Sequence, residues 1–180
     1  IILPTNEAGE PLALSEPSSL FISEKFGQIL IADKKAGVLV FDTALRLIRT
    51  LGCPDSPVLP DDFLFAPVSA LVDSAGITYV ISSNCYQGAL QYDEHGRFLG
   101  FYGSEKVTLT LETMLNQFWK SILTEKQAAN MKRSVPAEFV NFCVGDSDFI
   151  YTVRKGNDVQ TAQVKKLNAL GDNILPEKVF

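Results

Sequence analysis

Three stretches of the chain repeat one order of short apolar strands and polar turns, and a block between the second and third follows helical spacing instead. Together they predict an all-β protein with a helical insertion, built from about three four-stranded, propeller-type blades. The repeats run Pro17–Gly52, Pro67–Gly103 and Pro136–Leu175. Units of about 40 residues with four short strands mark propeller blades. A single blade leaves both faces bare, so blades must stack on one another.

Taken in order, residues 1–16 are a lead segment and 17–52 the first blade. That blade opens with Leu20–Ile22, turns at Gly27, and continues through QILIA, VLVFD and RLIRTLG. Residues 53–66 connect it to the second blade, 67–103, which runs Ala70–Val72, a turn at Gly76, ITYVI, ALQYD and RFLGFYG. The DEHG at 93–96 is a hairpin connection with Gly where positive φ is cheap. Residues 136–175 form a partial blade: Phe139–Val144, a turn with Gly145, Asp146 and Asp148, then FIYTV and VKKLN, with a weak fourth strand and a tail at 176–180.

The insertion, 104–135, contains TLETMLNQFWKSILTEKQAANMKRS. Thr110 suits an N-cap, and Leu111, Leu115, Phe118 and Ile122 recur on one helical stripe. Thr124 and Gln127 form a capping box, so a second helix is expected from there to about Arg133. Such a stripe must bury itself, as a lid on the neighbouring blades. Trp119 lies beside it, as its buried edge or as an exposed contact for a partner.

Composition narrows the function. The 180 residues are 46% hydrophobic and 21% charged, which is globular rather than disordered. A net charge of −5 argues against nucleic acid, whose binding needs a basic footprint, and against acidic lipid. No apolar run nears the roughly 18 residues of a membrane span. The opening IILPTNEAGEP has no basic region and too short an apolar stretch for a signal peptide. Propellers close with about 4–8 blades. The expectation is therefore a segment of a larger propeller, with pairing to further blades. Cys53, Cys85 and Cys143 are widely spaced and read as small hydrophobes near strands, with no disulfide framework and no CxxC metal site; in an exported protein one pair of them is free to bridge.

Catalytic chemistry is sparse. His95, the single histidine, falls in the DEHG turn, which leaves no basis for a Ser-His-Asp triad or a His-rich metal site. Asp73 and Asp146 sit in turns, where a carboxylate caps its own backbone. GDSD at 145–148 lacks the spacing of a calcium loop and reads as a turn between strands. Tyr79, Tyr92, Phe98, Phe101 and Tyr102 are expected between blades, because alternate strand residues face a neighbour. Tyr86, in SNCYQG beside Asn84 and Gln87, is the exception: an aromatic on a rim loop that can stack on a sugar or a peptide. Tyr86, Asn84, Gln87 and Trp119 are the candidate binding residues.

LFISEKFGQILIADKKAGVLVFD resembles an NHL-type repeat, with its Gly-containing turn, a strand ending in IAD and a later strand ending in Asp. The second unit has ISS where the first has IAD. The stretches LPDDFLFAPVSALVDSAGITYVIS, YQGALQYDEHGRFLGFYGSEKV and FWKSILTEKQAANMKRSVPAEFVNFCV are similar to NHL-repeat proteins of Gram-positive gut bacteria, a group thought to be exported. The resemblance implies an extracytoplasmic location and brings no reaction with it. Rim loops clustered on a rigid face, with sparse chemistry, lead to the expectation of a non-enzymatic scaffold without a cofactor that holds a protein or glycan partner. The alternative is a lactonase-like hydrolase with a calcium in its channel, for which the innermost strands offer Glu138 and Asn141.

Overall fold

Runs rich in Val, Ile, Leu and Tyr, bounded by Gly, Asp and Asn turns, fold into antiparallel ladders. A computed structural model describes residues 3–59, 62–83, 85–103, 138–145, 147–154 and 164–175. The expected helices of 104–135, with Thr110, Phe118, Trp119 and Thr124, lie outside the described residues, as do Asn84 and Asp146. Among the described residues all regular structure is β.

The strands β1 (Pro17–Ser23), β2 (Gln28–Asp33), β3 (Gly37–Asp42) and β4 (Leu47–Leu51) form one antiparallel sheet in chain order. The second sheet repeats the pattern with β5 (Pro67–Val72), β6 (Thr78–Ser82), β7 (Ala89–Tyr92) and β8 (Phe98–Tyr102). The third has β9 (Phe139–Val144), β10 (Ile150–Arg154) and β11 (Val164–Leu167). Among the described residues a single bridge, Leu167 to Asn173, stands in place of a fourth strand. Pro17 and Pro67 each open a first strand and each precede a bulge, where a missing N–H costs no ladder bond.

Alternation of side chains makes the second sheet a middle layer. One of its faces gives Ala70, Val72, Val80, Leu90 and Tyr92 to a core shared with Leu30, Ala32, Val38, Val40 and Leu51 of the first sheet. The other gives Leu71, Tyr79, Ile81, Ala89 and Tyr102 to a core shared with Phe139, Phe142, Ile150 and Leu167 of the third. The remaining face of the first sheet, with Ile31, Leu39 and Phe41, is covered by Leu12 and Leu14 of the lead segment.

Polar contacts fix the stack at its rims. Lys25 Nζ donates to Ser74 O at 2.7 Å, and Ser74 donates from Oγ and N to the Asp148 carboxylate, so the first turns of three sheets are tied in a row. On the outer side Tyr92 OH donates to Gly52 O at 3.0 Å and Tyr102 OH to Asn168 O at 2.6 Å. Each outer hairpin is closed by an Asp or Asn side chain. Asp42 Oδ1 accepts from Ala44 and Arg46, Asp93 Oδ1 from His95 and Arg97, and Asn168 Oδ1 from Leu170 and Asp172. Asp42 and Asp93 are thereby accounted for as caps of their own turns.

Candidate rim-loop site

The loop between β6 and β7 is anchored at both ends. Ser82, at the end of β6, accepts the Ala66 N–H at 2.9 Å on its hydroxyl, and Ser83 N donates to Ala66 O. Cys85 turns inward, is buried in the core between the first two sheets, and points its Sγ at Gly88 O, 3.3 Å away. Burial pushes the Cys85 thiol above its ordinary range, so it packs as a small hydrophobe rather than as a nucleophile. Gly88, at φ 114°, closes the loop in a region an L side chain rarely enters.

With Cys85 pointing in, Tyr86 points out, and it is 45% exposed. The carboxylate of Glu138, the residue that leads into β9 of the next sheet, lies near its hydroxyl. The negative charge of Glu138 raises the Tyr86 pKa above the ordinary phenol value. The ring face stays open beside that carboxylate. Gln87, half-buried, follows it, with Oε1 4.0 Å from Cys85 Sγ. The arrangement offers an exposed aromatic face beside a carboxylate and an amide. A sugar ring or a peptide side chain can stack on such a face while its hydroxyl or N–H groups meet the polar atoms.

Of the candidate binding residues, Tyr86 and Gln87 sit together on this loop. Asn84 and Trp119 lie outside the described residues. Glu138 and Asn141, paired by the calcium alternative, have different partners. Glu138 meets Tyr86, whereas Asn141 Oδ1 accepts from Phe142 N at 2.8 Å and from Ser69 Oγ at 3.3 Å. Among the described residues no group of three or more His, Cys, Asp or Glu is placed to hold a metal ion. His95 is exposed on its turn. Sequence reasoning missed Glu138 as the partner of Tyr86, because a contact across a separation of about 50 residues leaves no local signal. It also missed an open cleft of about 320 Å³ lined by Gly52, Cys53, Asp55, Ser56, Tyr92 and Phe98. The Pro-bounded run CPDSP was the available clue.

No protein-family model matches the chain, and no curated protein matches it. No helix among the described residues is long and apolar enough to cross a membrane.

Proposed function

We propose that the chain is the scaffold segment of an NHL-like β-propeller that binds a protein or glycan partner by its rim loops, without catalysing a reaction, outside the cytoplasm. The observation that carries this reading is Tyr86: an exposed aromatic ring on a loop anchored by Ser82 and Cys85, beside a carboxylate from the next sheet. An anchored loop loses little conformational freedom on binding, which favours recognition. The stacked meanders support the propeller part of the proposal, since each internal face is apolar and matched to its neighbour.

The test is a panel of immobilised glycans and peptides probed with wild type and Tyr86→Ala. Binding that Tyr86→Ala weakens about tenfold or more supports the rim site. Binding that the variant retains in full moves the site elsewhere, and turnover of a lactone or ester by wild type would replace the scaffold reading with a hydrolase. Location is checked by a membrane-impermeant label on intact cells. Failure of that label to reach the protein would count against an extracytoplasmic scaffold.

A further inference from the structure

The lead segment carries the hairpin that closes each sheet. At Asp93 the main-chain N–H bonds Arg97 O, Oδ1 accepts from Arg97 N, and Gly96 donates back to Asp93 O. Asn6 repeats this: its N–H bonds Glu10 O at 2.8 Å, its Oδ1 accepts from Glu10 N at 2.9 Å, and Gly9, at φ 82°, donates to Asn6 O. The spacing Asn6–Gly9 is that of Asp93–Gly96 and of Asn168–Gly171. Thr5 and Pro11 then pair antiparallel, as the third and fourth strands of a sheet do. Residues 3–12 thus have the form of the outer half of a further repeat unit.

The face beside them is half covered in the matching way. Leu12 and Leu14 pack on Ile31, Leu39 and Phe41. On the inner strand β1, Leu20 and Ile22 stay 61% and 60% exposed. Register makes the contrast informative: Pro17 faces Asp33 as Pro67 faces Ser82, so Leu20 and Ile22 correspond to Ala70 and Val72. Those two are buried against the first sheet. The bare patch is therefore the position that, one sheet further on, an adjoining sheet fills. The outward backbone edge of Thr5 is held by Leu45 O and by the N–H of Leu47, whereas the corresponding Phe41 pairs with Ile29 of β2.

We propose that Leu20 and Ile22 seat a two-stranded antiparallel ribbon, apolar at alternate positions: the inner strand pair of the unit whose outer hairpin is residues 3–12. To pair with Thr5 as β2 pairs with Phe41, the ribbon displaces the backbone bonds that Leu45 and Leu47 make to Thr5. The inference rests on the repeat reading above and not on rim-loop binding. Its surface is continuous with the interface that Leu12 and Leu14 already make.

The β5–β6 ribbon of this chain is a suitable probe. Residues 67–88 are joined ahead of residue 2, so that they run into residues 3–5 as they natively run into β7. With Cys53→Ser and Cys143→Ser as background, Ile22→Cys reports access to the face. The attached ribbon is expected to slow labelling of the Ile22→Cys thiol at least tenfold and to raise the melting temperature. A ribbon carrying Leu71→Asp and Ile81→Asp, whose side chains point toward the next sheet, is expected to do neither. Unchanged labelling with the native ribbon overturns the proposal, as does equal protection by the charged ribbon. Slow labelling of the chain without any ribbon, in step with a dimer mass, overturns it in favour of a second copy. Binding through Tyr86, measured on the same proteins, is unmoved by any of these results, so the rim reading stands or falls separately.

Discussion

The first two sheets close the same corner with different residues, and the difference shows how much one side chain holds. At the end of β2, Asp33 is fully buried and accepts four backbone N–H groups: Ser15 and Glu16 from the lead segment, Lys35 and Ala36 from the next turn. At the corresponding end of β6, Ser82 is as buried but accepts a single N–H, from Ala66. Both latches hold the chain that enters the first strand against the end of the second. One does it with a carboxylate that also shapes the following turn. The other uses a hydroxyl and leaves the following loop to Cys85 and Gly88, and that loop is the one carrying Tyr86. The heavier latch belongs to a tight two-strand turn, and the lighter one to the loop proposed to bind.

The comparison breaks most readily at Asp33. Burial alone would raise its pKa, but the four N–H groups outweigh it and hold the carboxyl below its usual value. Asp33→Ala strands those donors and is expected to cost about 3–4 kcal/mol, read from the urea midpoint at constant m. Because the folded pKa is depressed, the contribution is complete above about pH 4, the range of an unfolded Asp, and is lost as pH falls through the lower folded value. The stability gap between wild type and Asp33→Asn should therefore narrow as pH drops below about 4. A gap that stays constant down to acid would mean the carboxylate charge is not what the latch uses.

Gly37, which opens β3 just after that latch, should rank next. It has φ +97°, and a Cβ there would lie 2.5 Å from Leu51 O, a backbone atom that cannot swing away. Gly37→Ala is expected to cost about 2–3 kcal/mol by the same measurement. Ser82→Ala should cost only about 1 kcal/mol, the loss of one neutral hydrogen bond. A Ser82→Ala cost equal to that of Asp33→Ala would erase the distinction between the two latches.

Much of this was legible residue by residue. Strands with a two-residue period and turn residues at fixed offsets placed the meanders, because both signals act over a few residues. The repeated Pro, Gly and Asp positions marked where the first two sheets begin, turn and close. Two kinds of information were not local. The shared role of Asp33 and Ser82 hides behind IAD and ISS, since a carboxylate and a hydroxyl look unlike until the register lines them up. The Asn6 hairpin escaped notice because its flanking strands, PT and PL, are too short and too Pro-rich to read as β. At the candidate site, Tyr86 stood out as an aromatic in a polar loop, but its neighbour Glu138 is brought near only by the packing of successive sheets.

The smallest expected effect on stability falls on the residue proposed to matter most for binding. Tyr86 belongs to none of the three apolar cores, and its ring is open to solvent. Glu138 acts on its hydroxyl at the exposed surface, where water replaces a polar contact at little cost. Tyr86→Ala should therefore unfold within about 0.5 kcal/mol of wild type, as surface substitutions do. Tyr86→Phe separates the two parts of the side chain. If the ring face does the binding, the Phe variant keeps most affinity for a glycan or peptide found with wild type. If the hydroxyl and its carboxylate partner are read by the ligand, Phe loses about as much as Ala. A stability loss above about 2 kcal/mol in the Ala variant would mean that Tyr86 is packed as core, since that is the range for removing a buried large side chain. The lighter latch would then be supporting structure rather than a binding loop.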